Sequence, residues 1–157
     1  MSRSKPTSGL ALPLAWLTSA LVLALLGWLP GHTSSPSTYN FANYYADGHR
    51  GVNFSLAAVF AMLGAIYFAI GRRASRRFWW HLAWGQFALT LVGALLMESP
   101  ALAFSLSRSP WNGEAFVVAF HFWSTVSAAG YLAIWAGLLL FGYLAFAGLW
   151  TRKSARS

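Results

Sequence analysis

The sequence contains no cysteine and only three acidic residues among 157. The lack of cysteine excludes disulfides, thiolate metal sites and cysteine nucleophiles. Charged residues make up 9% of the chain and hydrophobic residues 57%, whereas soluble domains carry roughly 25% charged residues. Glycine-rich phosphate loops and hydrolase motifs are also missing from any strand-to-helix setting. Together with a mean hydropathy of +0.52, these absences indicate an integral membrane protein.

Four apolar stretches are each long enough to cross a bilayer, which takes about 20 mainly apolar residues. They predict helices over about residues 10–29, 40–70, 78–97 and 114–150. We interpret the first as a membrane anchor rather than a signal peptide, because its apolar run is long and no small-x-small site follows it. The expected fold is an all-α integral membrane protein, residues 1–157, with four transmembrane helices in an antiparallel bundle.

The basic residues predict the orientation of the chain, because lysine and arginine are retained on the cytoplasmic side. Nine of the eleven fall at the two termini or between the second and third stretches, namely Arg3, Lys5, Arg72, Arg73, Arg76, Arg77, Arg152, Lys153 and Arg156. All three acidic residues fall in the other two connections, at Asp47, Glu98 and Glu114. We therefore expect both termini in the cytoplasm, in a bacterial inner membrane.

The net charge of +8 does not predict nucleic-acid binding, because a basic DNA-binding stripe needs a folded soluble face to display it. Here the charge is a topology signal and a contact for anionic membrane lipid.

Two histidines are the main candidates for chemistry, because polar groups within a membrane are costly and tend to be functional. His49 and Asn53 share one face of the second helix, and His121 shares a face of the fourth with Ser124 and Thr125. Both helices run inward from the outer side, so the two imidazoles are expected at similar depth. This is what axial ligation of haem iron requires, with His49 and His121 as metal ligands and haem b as the cofactor.

Arg50 and Asn53 complete the predicted cofactor-binding set. Arg50 is one of only two basic residues on the outer side, where its guanidinium would pair with the haem propionates. The alternative is purely structural, since a membrane histidine often only hydrogen-bonds to a neighbouring helix. Gln86 and Thr90 are interpreted as interhelical hydrogen-bond partners.

The second helix carries a family resemblance. Tyr44-Tyr45 and the segment from His49 to Ala61 (HRGVNFSLAAVFA) resemble the haem-ligating helix of haem-copper oxidase subunit I, in which a Tyr-Tyr pair leads into His-Phe-His-Tyr-Val-Leu-Ser and then Gly-Ala-Val-Phe-Ala. The resemblance covers about residues 40–97. It implies a haem ligand at His49 only, because the family's second histidine is Gly51 here, and four helices bring no copper ligands.

These observations favour a small accessory subunit of a respiratory or related electron-transport complex, which either holds one haem or has lost it. Such a chain is not expected to be an enzyme on its own. The alternative is a self-contained haem b electron carrier or quinone oxidoreductase, with quinone as a further partner. A small transporter is the weaker alternative, because the stretches show no broken helix, inverted repeat or line of buried charges.

Overall fold

The protein is all-helical, and its computed structural model describes residues 8–28, 41–73, 80–106 and 113–153. These ranges form four α-helices: α1 (Ser8–Trp28), α2 (Phe41–Arg73), α3 (Trp80–Leu106) and α4 (Gly113–Lys153). The prediction of an all-α chain with four membrane-length helices is confirmed.

All four helices are long and apolar enough to cross a membrane. The candidate spans are Leu10–Trp28, Gly51–Arg72, Trp80–Pro100 and Val117–Ala147. Between 22% and 33% of each span is buried inside the protein, so most of the apolar side chains point outward. Water would not tolerate that much exposed leucine and phenylalanine, whereas lipid chains solvate it at no cost.

Helix α3 continues beyond Met97, where its apolar stretch was expected to end, through Pro100 to Leu106. A proline inside a helix has no N–H to donate to the carbonyl four residues earlier, which here is that of Leu96. The Ser99 hydroxyl donates to this carbonyl oxygen at 2.7 Å. Because Ser99 replaces the missing donor, the helix can pass through the proline.

Helices α3 and α4 pack along each other, with glycine at the closest points. A Cβ added at Gly93 would lie 2.7 Å from the Gly130 carbonyl oxygen, and one added at Gly130 would lie 2.7 Å from the backbone nitrogen of Met97. At Gly137 a Cβ would collide with the Thr90 hydroxyl. Small residues permit this backbone approach, which lets dispersion forces act over the whole contact.

Helices α1 and α2 form the second pair, centred on Trp16. This indole is fully buried and lies near Gly64 of α2, where an added Cβ would be 3.1 Å from the Trp16 Cβ. Its ring contacts Phe60 edge-on at 4.8 Å and stacks on Tyr67 at 6.4 Å. Helix α3 touches both members of this pair, so within the described residues the molecule consists of two helix pairs whose backbones come close only through α3.

Candidate functional site

The predicted residues on α2 lie in the N-terminal half of the helix. His49 and Arg50 are within the helix, but their side chains lie outside the described part of the chain. Asn53, one turn after His49, is buried at 6% exposure, and its Oδ1 atom has no hydrogen-bond partner among the side chains that the structure describes. An amide oxygen buried without a partner costs free energy, so Asn53 can accept a further hydrogen bond.

The predicted residues on α4 lie on an outward face. The side chain of His121 is exposed, and its ring contacts Phe120 edge-on at 6.3 Å. The Thr125 hydroxyl donates to the His121 backbone carbonyl at 3.0 Å. That bond engages the backbone of His121 and not its imidazole.

An open cleft of about 550 Å³ lies between α2 and the α3–α4 pair. Its lining is mostly apolar and consists of Val52, Met97, Ser127, Ala128, Tyr131 and Leu132. This volume lies within the range of about 300–1,000 Å³ that is usual for small-molecule and cofactor sites. The cleft is open rather than enclosed, so a group seated there would remain exposed on one side.

Of the predicted residues whose side chains the structure describes, none lines the cleft. Val52 follows His49 by three positions, and Ala128 follows His121 by seven, so these two cleft residues share a helix face with the histidines, Ala128 at about 10 Å along α4 from His121. Within the described ranges there is no group of three or more His, Asp or Glu that could hold a metal ion. A haem iron bound by two histidines does not need such a group.

A second polar cluster lies deeper in the protein, at Tyr67, Gln86 and Thr90, all fully buried. The Tyr67 hydroxyl donates to Gln86 Oε1 at 3.1 Å, which joins α2 to α3. Gln86 Nε2 donates to the Thr90 hydroxyl at 3.3 Å, and that hydroxyl donates to the Gln86 carbonyl at 2.9 Å. The interhelical role predicted for Gln86 is confirmed.

Sequence reasoning did not identify Tyr67 as the partner of Gln86. The available signal was its spacing, because Phe60, Gly64 and Tyr67 repeat at helical intervals along one face of α2. Trp16 was missed as well, although it is the centre of the core. Its Nε1 atom is buried and has no hydrogen-bond partner.

Other polar residues lie closer to the helix ends. His81 is exposed in the first turn of α3, and Glu98 is buried at 7% exposure near the end of the α3 span. The Arg72 guanidinium lies over the Phe68 ring, 5.4 Å from its centroid. This cation–π contact fits the end of a span, where the aromatic ring lies in lipid and the charge reaches water.

The four spans and the outward apolar surface define the class: this is an integral membrane protein built of helices. It is similar to cytochrome c oxidase subunit 1 of Cereibacter sphaeroides, with 29% identity over 132 residues. That match covers 82% of this chain and 23% of the relative, so the chain spans about a quarter of the relative's length. No family model and no solved structure matches the chain.

The matched relative is an oxidase subunit 1, the same kind of subunit that the sequence of α2 resembles. The match is a distant resemblance to oxidase subunit 1, and at 132 residues it is longer than the segment 40–97 that carried the resemblance.

Proposed function

We propose that this chain is a small subunit of a respiratory-type electron-transport complex and that it holds one haem between α2 and α4. The observation that carries the proposal is the cleft of about 550 Å³, which has one wall on α2 and another on α4. The similarity to an oxidase subunit over 82% of the chain supports an electron-transport setting.

In this proposal His49 and His121 would hold the haem iron through their imidazole nitrogens. Ligating histidines almost always donate their second ring N–H to a nearby acceptor, and the unpartnered Oδ1 of Asn53 lies one turn from His49. Arg50 would pair with the propionates at the outer end of the site. The apolar lining formed by Val52, Met97 and Leu132 would keep water from the macrocycle. When bound, haem b supplies a one-electron redox couple.

The orientation and packing belong to the same proposal. Thr90 meets Gly137, Gly93 meets Ile134, and Met97 meets Gly130, so residue numbers rise on α3 as they fall on α4. These contacts support an antiparallel bundle, and the basic residues at both termini support cytoplasmic ends in a bacterial inner membrane.

One preparation tests both the haem and the partner. The protein is purified in a mild detergent, its mass is measured by light scattering, and a dithionite-reduced minus oxidised visible spectrum is recorded. We expect a b-type difference band and a mass larger than that of the chain alone. His49→Ala and His121→Ala should each abolish the band. His81→Ala is the matched control, because His81 is exposed on α3 and has no proposed role.

The outcomes separate the two parts of the proposal. If the parent protein shows no band, the remaining interpretation is a haem-free accessory subunit. Unchanged haem content in His121→Ala would rule out the histidine pair as the haem ligands. A homogeneous monomer would count against a partner complex.

A further inference from the structure

The two helix pairs are tied together at only a few places within the described residues. Within each pair, the two helices approach most closely at glycine: at Gly93 and Gly130 in α3–α4, and at Gly64 in α1–α2. Helix α4 approaches no helix except α3 at backbone distance. The pairs therefore resemble two stiff units whose relative position depends on side chains.

Those side-chain ties are concentrated around Gln86. The Tyr67 hydroxyl donates to Gln86 Oε1, and the Tyr67 ring contacts Phe141 of α4 edge-on at 5.6 Å. The Trp16 ring contacts Phe87 of α3 edge-on at 4.9 Å. Every one of these contacts crosses from the α1–α2 pair to the α3–α4 pair.

Gln86 is the polar centre of this joint. Its amide accepts from Tyr67 on one side and donates to Thr90 on the other, and Thr90 lies against Gly137 of α4. A side-chain amide that is held at both ends has one rotamer, whereas aromatic contacts alone permit the rings to slide. The chain Tyr67–Gln86–Thr90 can therefore fix one angle between the pairs.

The cleft lies away from this joint. On α2 it begins at Val52, and on α4 it ends at Leu132, whereas the joint lies at Tyr67 and near Gly137. Two stiff pairs joined near one end will open or close at the other when the angle between them changes.

We propose that Gln86 is a positioning residue, which sets the angle between the α1–α2 and α3–α4 pairs and thereby the width of the cleft. This goes beyond the proposed function and does not depend on it, because the width belongs to the protein whether or not a haem is bound.

The absence of cysteine from the whole sequence makes the width directly measurable. Phe54→Cys on α2 and Leu132→Cys on α4 replace exposed residues, so spin labels there do not disturb the core. Their separation is measured by double electron–electron resonance on the full chain in lipid nanodiscs. Phe54 lies 13 residues before Tyr67, about 20 Å along the helix, so a rotation of about 10° moves it by about 3 Å.

We expect Gln86→Leu to shift or broaden the Phe54–Leu132 distance distribution by about 3 Å, the displacement estimated from helix rise. Tyr67→Phe removes a single hydroxyl and should shift the Phe54–Leu132 distance in the same direction, but by less. A second label pair, Val92→Cys and Leu139→Cys, lies within the α3–α4 pair. The distance between these two labels should not change in Gln86→Leu. Thr125→Val is the matched control, because that hydroxyl bonds only within α4.

Two results would overturn the proposal. The first is an unchanged Phe54–Leu132 distance in Gln86→Leu. The second is an equal change in the Val92–Leu139 distance, since the cluster would then hold the whole fold together rather than one angle. If Gln86→Leu does not fold, Tyr67→Phe is judged by the same two criteria.

Discussion

At the scale of single residues, glycine determines where the helices of this protein touch. Small residues recur in the sequence at helix-packing spacings, as Ala57, Ala61 and Ala65 and as Ala133 with Gly137. The structure buries Ala57 and Gly137 but leaves Ala65 exposed. It also uses Gly93 and Gly130, which the sequence did not single out. Apolar residues surround every helix, so the sequence contains no polar face by which the inward-facing small residues could be identified.

We expect Gly130→Ala to destabilise the protein by about 1–3 kcal/mol, the usual cost of overpacking. The new methyl would lie 2.6 Å from the Gly93 carbonyl oxygen and 2.7 Å from the backbone nitrogen of Met97, neither of which can move aside. The measurement is the free energy of unfolding in mixed micelles as denaturing detergent is added.

Gly142→Ala provides the control for this substitution. Gly142 lies on the same helix, and a Cβ there meets nothing within 4 Å, so the exchange should be neutral or slightly stabilising through helix propensity. Equal stability of the two variants would contradict the close approach at Gly130.

At the scale of whole elements, the spans could be predicted but the end of α3 could not. Length and hydropathy determine a span, whereas a proline such as Pro100, just after the predicted end at residue 97, is typical of a helix end. The helix continues because the Ser99 hydroxyl donates to the Leu96 carbonyl. That compensation depends on a side-chain rotamer, which a residue pattern does not contain.

This compensation predicts coupling between Ser99 and Pro100. Ser99→Ala should cost about 0.5–1.5 kcal/mol, the net value of a hydrogen bond. The same change should cost less when Pro100 is also alanine, because the restored backbone N–H then serves the Leu96 carbonyl. A double-mutant cycle in unfolding free energy measures the coupling. Strictly additive costs would mean that the Ser99 bond does not compensate for the proline.

At the scale of the whole molecule, the class of protein follows from composition, but the arrangement of the pairs does not. The sequence identified His49, Asn53 and His121 as the polar candidates, yet nothing in it indicated a cleft with walls on α2 and α4. Such a cleft arises from the angle between two helix pairs, which depends on long-range contacts such as Tyr67 with Gln86.

The proposed orientation can be tested on intact cells with a membrane-impermeant thiol reagent. Single cysteines are introduced at Ser157 in the C-terminal segment and at Ser35 in the first outer connection. We expect labelling at Ser35→Cys only, since basic residues hold the termini in the cytoplasm. Permeabilised cells serve as the control and should label at both sites. Labelling of Ser157→Cys in intact cells would show that the C-terminus lies outside, which is the opposite topology.

The bond between Thr90 and Gln86 has a consequence for biosynthesis. The α3 span is the least hydrophobic of the four, with a mean hydropathy of 1.3, and it precedes α4 in the sequence. Until α3 and α4 associate, Gly137 does not cover Thr90. Because Thr90 and Gln86 lie four residues apart and bond to each other, the isolated helix shields its own polar groups. The contacts with Tyr67 and Gly137 can then form later, when inserted helices associate.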